Sequence, residues 1–348
     1  MRVLVTGATG LVGAAIAREL ARRGHAVRAL ARPSSDATAL EGLGAEVVRG
    51  DVLDAASVRA ALRGCQGVVH TAGIASFRPG MRETLMAVNA RGAELVLGAA
   101  LEAGVARAVL TSSVSALGGS RTPGVADEAT SSNAEALGID YFVSKLRGEQ
   151  AGLSLARRGL PLAVVRPAFV LGPGDVHGTS ASTVLAVVRR RIPAYVEGGV
   201  SFCHVDDVAR GHAEALERGR AGELYHLGGH NLAMSEFMAR VARLAGIRPP
   251  TRLPVPVALA MATASSWAAR LRGRRPTGSV DLVRASALYT FVTSAKAERE
   301  LGYSIRPFDD MVRDTLRWYL AQGKLRPETP ELRALAEGAS PSGSLAGG

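Results

Sequence analysis

The chain has 348 residues, 47% hydrophobic and 21% charged, which at roughly 150 residues per domain predicts two domains or one large one with a sizeable core. That balance excludes a disordered, charge-rich tail protein. The formal charge is +11, yet only Lys145, Lys296 and Lys324 are lysines among 42 basic residues and aromatics reach only 4%. With no recognition motif beside that charge, nucleic acid is excluded as a partner.

Short apolar runs alternate with helical patterns through the first half. Strands are predicted at Val3–Val5, Ala26–Leu30, Glu46–Arg49, Gly67–His70, Ala106–Leu110 and Leu162–Arg166. Helices are predicted near Leu11–Arg23, Ala87–Glu102 and Leu146–Arg157. Continuous apolar strands separated by helices predict an α/β doubly wound parallel sheet. Beyond Gly172 the pattern loosens into glycine- and proline-rich stretches, predicting a smaller C-terminal α/β part that binds substrate. The expected boundaries are 1–172, with a return to the sheet near 200–230, then 173–326 and a flexible tail over 327–348.

Val3–Val5 runs into Thr6-Gly7-Ala8-Thr9-Gly10-Leu11-Val12-Gly13 ahead of a helix. Gly7 permits a tight turn, Gly10 lets backbone approach a pyrophosphate, and Gly13 lets the helix pack on the strand. The competing reading is a glycine-rich turn with no ligand. After the second strand, Val27 to Ser35 holds no acid to accept from a ribose hydroxyl. Arg32, with Ser34 or Ser35, suits a ribose phosphate instead, so NADP(H) is favoured over NAD(H). The alternative makes Arg28 and Arg32 plain surface charges.

Tyr141 and Lys145 stand four apart, on one helix face. A neighbouring cation favours the phenolate and moves a phenol toward acid–base use. Upstream, Thr111-Ser112-Ser113 closes a strand and offers hydroxyls to a substrate oxygen.

Together the glycine turn, the strand-end serines and Tyr141-x-x-x-Lys145 resemble the extended short-chain dehydrogenase/reductases, the NAD-dependent epimerase/dehydratase family. Across residues 1 to 325 the chain is most similar to hopanoid-associated sugar epimerases, then to dihydroflavonol reductases and hydroxysteroid dehydrogenases. The resemblance implies a Rossmann fold, catalysis by Ser113, Tyr141 and Lys145, and Asn89 organising the site through a water. It implies cofactor contacts from Thr6, Gly7, Thr9, Gly10, Leu11, Val12 and Gly13, with Asp51 and Val52 at the adenine. Thr71, Ala72 and Gly73 would lie against the ribose, and Lys145 and Pro167 near the nicotinamide. Phe202 to Val208 resembles the family's "HVDDVA" segment, whose carboxylates are read as structural. Substrate-pocket candidates are Ile74, Phe77, Ser113, Ala116, Leu117, Phe169, His177 and Phe202, mostly apolar, which points to a lipophilic carbonyl compound.

The expected activity is hydride transfer between NADPH and a ketone or aldehyde. Sugar-nucleotide epimerisation or dehydration is the alternative, and a non-catalytic dinucleotide sensor a third. Cys65 and Cys203 make no disulfide or metal spacing and the chain opens on a strand rather than a leader, so a cytoplasmic location is expected. His25, His177, His212, His226 and His230 lack metal-ligand spacing, so no metal is expected. The longest uncharged run, Leu253–Ala269, is too short and too polar for a membrane span. We prefer to read it as a buried substrate-domain helix; followed by Arg270, Arg272, Arg274 and Arg275, it could instead touch an anionic membrane surface. The resemblance further implies a homodimer.

Overall fold

The computed structural model describes residues 1–271 and 279–337. The chain opens with β1 (Arg2–Thr6), α1 (Leu11–Arg22), β2 (Ala26–Ala31), β3 (Glu46–Arg49), α2 (Ala55–Leu62) and β4 (Gly67–His70). There follow α3 (Arg82–Leu85), a widened π turn at Met86–Arg91, α4 (Gly92–Glu102), β5 (Arg107–Thr111), β6 (Val125–Ala126) and α5 (Ala134–Leu137). Next come α6 (Asp140–Arg157), β7 (Leu162–Pro167), β8 (Phe169–Leu171), α7 (Ser182–Val188), β9 (Ala194–Val196) and β10 (Gly199–His204). Then α8 (Val205–Arg218), β11 (Leu224–Leu227), β12 (His230–Ala233), α9 (Met234–Leu244), β13 (Thr251–Leu253) and α10 (Val255–Leu271). The described chain closes with α11 (Val280–Ser286), β14 (Tyr289–Val292), α12 (Ala295–Leu301), α13 (Phe308–Ala321) and α14 (Pro330–Glu337).

Seven parallel strands in the order β11-β7-β5-β4-β1-β2-β3 form the main sheet. Parallel neighbours need crossovers, and the helices that make them cover both faces. Ile16 and Leu20 of α1 and Val208 of α8 pack on one face. Val58 of α2, Val96 and Leu97 of α4 and Leu155 of α6 pack on the other. Each such side chain, fully buried, contributes roughly 1.5–3 kcal/mol. Strand order reverses between β1 and β4, where Thr6 lies opposite His70. In such sheets the crevice at the carboxyl ends of the strands is the ligand site.

The chain leaves this sheet after β7 and comes back to it in α8 and β11. A smaller sheet, built round β10 with β8, β12, β14 and β6, carries the remainder. Its core with α7, α9 and α13 centres on Phe202, Phe237 and Phe308. Phe202 is fully buried, stacked on Phe237 at 4.5 Å between ring centroids and edge-on to Phe169 and Phe308. It therefore seals the core and does not line a pocket, contrary to the sequence expectation. Strand alternation shows which residues share a face, but not which layer covers that face.

Two further expectations change. The first residues of the supposed tail form α14, because Thr329 caps it at Leu332 N–H, bonds the Ala245 carbonyl at 2.7 Å, and Leu332 is buried. Helix α10 is not buried: Val257, Met261 and Trp267 are 45%, 59% and 66% exposed. Arg272, Arg274 and Arg275 lie outside the described residues, as does the side chain of Arg270. No helix among the described residues is long and apolar enough to cross a membrane.

Truncating a buried aromatic leaves a cavity. Phe202→Ala should lower the unfolding free energy by about 3–5 kcal/mol in denaturant titration. A loss under about 1 kcal/mol, the range of surface changes, would return Phe202 to a pocket wall.

Candidate active site

The turn after β1 is built for close approach. Gly7 has φ +69°, and a Cβ there would meet Ala72 N at 2.7 Å. A Cβ on Gly13 would stand 2.1 Å from the Gly7 carbonyl oxygen, so only glycine lets α1 start so near the strand. Gly10 N–H donates to Gly7 O at 3.0 Å, and Gly10 caps α1 with no side chain on its first amides. Leu11 is buried beneath the turn while Thr9 and Val12 are half-buried. The facing loop is tied in: Thr71 Oγ1 donates to Thr6 O at 2.7 Å and Ala72 N–H to Thr6 Oγ1 at 3.3 Å. The Thr6 hydroxyl is also hydrogen-bonded to His70 Nδ1, 2.8 Å away. His177 donates to the Thr9 carbonyl at 3.2 Å, which places it on the turn. A cradle that a Cβ would fill, with amides left free at a helix start, fits a dinucleotide pyrophosphate.

At the other end of the crevice, Arg32 to Ser35 form a β-turn with Pro33 second, closed by Ser35 N–H to Arg32 O at 2.9 Å. Arg49, which the sequence reading passed over, grips this turn by donating to the carbonyls of Arg32 (3.0 Å) and Ser35 (2.9 Å). The Arg32 side chain is exposed. Arg28 is occupied elsewhere, on Glu46 and the carbonyls of Ala61 and Arg63. Asp51 accepts from Leu53 N–H at 2.9 Å, and Val52 packs on Gly92.

Strand β5 and helix α6 bring the polar groups together. Lys145 Nζ donates to the Thr111 carbonyl at 2.9 Å. Ser112 Oγ donates to Glu149 Oε2 at 2.6 Å, and Arg166 of β7 clasps the same carboxylate through Nε (2.8 Å) and Nη2. The side-chain hydroxyls of Ser113 and Ser115 are near enough to act on the Tyr141 phenol. Burial raises that phenol above the ordinary value, and those two hydroxyls oppose the rise. Burial also pulls Lys145 down to about 8, with the Glu149 carboxylate pushing it back up. The serine hydroxyls act on Tyr141, and Lys145 is held on Thr111. Thr111 Oγ1 in turn donates to His212 Nε2 at 3.0 Å, since His212 Nδ1 donates to Val208 O at 2.7 Å and only Nε2 is left to accept.

Asn89 sits in the π turn, a feature common at functional sites. Its Oδ1 accepts from Ile74 N–H at 2.8 Å, and Nδ2 donates to Ile74 O and Ser144 Oγ, each at 2.9 Å. It therefore joins the Gly73–Ile74 loop directly to α6. The helix comes so near that a Cβ on Gly148 would stand 2.1 Å from the Asn89 carbonyl oxygen. Phe77 lies edge-on to Tyr141 at 5.5 Å between ring centroids and so flanks its ring. Phe169 is half-buried against Phe202, Pro167 is buried at the end of β7, and Ala116 and Leu117 are buried in core clusters. Glu149 and Ser115 were missed by sequence reasoning; the repeat of four from Tyr141 through Lys145 was the available signal for Glu149. In the HVDDVA segment, buried Asp207 accepts from Arg306 Nε (3.1 Å) and Nη2 (3.0 Å), and His204 Nδ1 caps α8 by accepting from Asp206 N–H. No metal-binding cluster is found among the described residues.

Residues 3–228 match the family model described as "NAD dependent epimerase/dehydratase family". The chain is 33% identical over 330 residues to sterol demethylase protein B of Methylococcus capsulatus, covering 93% of this chain and 100% of that relative. It is 30% identical over 326 residues to a 4-hydroxy-2-methyl-3-oxo-4-farnesyl-3,4-dihydroquinoline-1-oxide ketoreductase of Stigmatella aurantiaca, covering 91% and 96% of the two chains. Among solved structures, a nucleoside-diphosphate-sugar epimerase from Pseudomonas aeruginosa superposes with TM-score 0.77 at 28% identity, covering 94% of this chain and 99% of that one.

Asn89→Ala removes three buried hydrogen bonds at once. It should cost on the order of 2 kcal/mol of stability and weaken dinucleotide binding, read by melting with and without nucleotide. An unchanged melting temperature would mean that the Ile74 loop is held by other contacts.

Proposed function

The chain belongs to the NAD dependent epimerase/dehydratase family, and from that premise we propose that it is an NADP(H)-preferring reductase of a lipophilic ketone or aldehyde. The observation that supports this reading is that Ser113 acts on the Tyr141 phenol at the end of β5 while Lys145 Nζ is held on the carbonyl of nearby Thr111. A bound nicotinamide would supply the hydride; the residues that would hold it are Gly7, Gly10, Gly13 and Lys145, with Thr71 to Gly73 and Pro167 alongside. Ser113 orients the substrate oxygen, and Tyr141, kept protonated by burial, donates the proton to it. Lys145 supplies positive charge beneath the reacting groups. Phe77 keeps water from the phenol and gives the substrate an apolar wall.

Lipophilic substrates are supported by that wall and by the names of the relatives, which concern a sterol and a farnesylated ketone. Preference for NADP(H) is supported by exposed Arg32 on a turn that Arg49 fixes, with no acid at the end of β2. Sugar-nucleotide epimerisation is the competing reading, favoured by the Pseudomonas structure. The same missing acid weighs against it, since a retained NAD wants a carboxylate at its ribose. A cytoplasmic homodimer completes the proposal, supported by family resemblance and by two buried thiols, Cys65 and Cys203.

Tyr141→Phe should cut NADPH-driven reduction of a panel of lipophilic ketones by roughly 10²–10⁴-fold while leaving NADPH affinity nearly intact. Turnover equal to the parent enzyme contradicts the mechanism. Arg32→Ala should raise KM for NADPH by roughly ten- to a hundredfold, the worth of a charge-assisted contact, and leave KM for NADH in place. A parallel rise for both nucleotides would remove Arg32 from phosphate recognition.

A further inference from the structure

Glu149 is 3% exposed and has no part in the chemistry above. It stands one helical step of four beyond Lys145, on the face that carries Tyr141 and Lys145. Its oxygens are taken by Ser112 and by both forks of Arg166, itself only 5% exposed. Such a bidentate pair is geometrically exact only if strand and helix keep their register. Ser112 lies between Thr111, whose carbonyl receives Lys145, and Ser113, which meets Tyr141. Whatever fixes Ser112 on α6 thus fixes both neighbours.

We propose that Glu149 is a positioning residue for the reaction: held by Ser112 and Arg166, its carboxylate keeps Lys145 charged and seated on the Thr111 carbonyl. The proposal rests on the catalytic reading of Tyr141 and Lys145 given above. The charged and titratable groups around the pair come from each packed element. Tyr141 and Glu149 lie on α6, and His70 on β4 is near enough to feel the Lys145 charge. Arg166 faces Glu149 from β7 with His226 of β11 behind it, and His212 of α8 reaches Lys145 through Thr111. Burial holds His70 and His226 near about 3 and His212 near about 4, so these rings stay neutral around physiological pH. Glu149 is then the anion that offsets the desolvation of Lys145. Its support of Lys145 as a cation is present below the lysine's pKa and is lost as pH rises through it.

Glu149→Gln keeps the shape and an acceptor for Ser112 but removes the charge. The alkaline limb of kcat for NADPH-driven carbonyl reduction should move to lower pH by roughly one unit, a tenfold change in proton affinity. The pH dependence of NADPH affinity, read by nucleotide fluorescence, should move with it. Ser112→Ala breaks a hydrogen bond and keeps the charge, so its limb should stay. If E149Q fails to fold because Arg166 is left unpaired, E149Q/R166Q takes its place, and its limb must fall below that of R166Q, which differs from it only in the Glu149 charge. An E149Q limb at the parent's position, or an E149Q/R166Q limb at that of R166Q, overturns the proposal, as does an equal shift in S112A. Lys145→Met, run alongside, separates the two failures. If K145M turns over like the parent, the reading of the site itself falls. If K145M is inactive and the E149Q limb has not moved, only the role of Glu149 falls.

Discussion

The site depends on how the end of β5 is pinned to α6. Thr111, Ser112 and Ser113 each engage a different turn of that helix, through Lys145, Glu149 and Tyr141. Thr111 ends β5 and Ser112 and Ser113 follow it, so the helix is gripped at the point where the strand stops. Every other feature of the site inherits its position from that placement. The Gly73–Ile74 loop joins through Asn89, which bonds Ser144 on the same helix. The glycine turn joins through Thr6, Thr71 and Ala72.

A buried ion pair is an expensive way to secure register, because desolvation can cancel the attraction between the charges. Glu149 and Arg166 meet the condition under which such a pair is tolerated: both oxygens and both forks are occupied, with Ser112 and His226 taking further positions. Arg166 holds Glu149 in place, and the carboxylate still bears on Lys145 at the foot of the crevice. Burial lowers the lysine's proton affinity to about 8, which puts its charge within reach of small electrostatic changes.

Much of this was legible in the sequence. The parallel strands read directly because burial on both faces leaves them continuously apolar, and the glycines of the first turn are demanded by backbone approach at Gly7 and Gly13. Tyr141, Lys145 and Ser113 were singled out through spacing and resemblance. What stayed hidden depends on tertiary partners. Phe202 alternates along β10 like a pocket residue until Phe237 and Phe308 cover it. Glu149 reads as a solvated helix charge until Arg166 arrives from β7. Helix α10 is apolar by composition, yet its packing leaves Met261 and Trp267 outside the core. Ser115, which acts on the Tyr141 phenol alongside Ser113, reads in the sequence as one more serine until the turn after β5 places it there.

The most direct test of the whole account is to denature the purified protein and measure the nicotinamide nucleotide it releases. An exchanging NADPH reductase predicts an empty site or a small amount of NADP. Near-stoichiometric NAD would contradict it, because a cofactor kept through every cycle belongs to an epimerase.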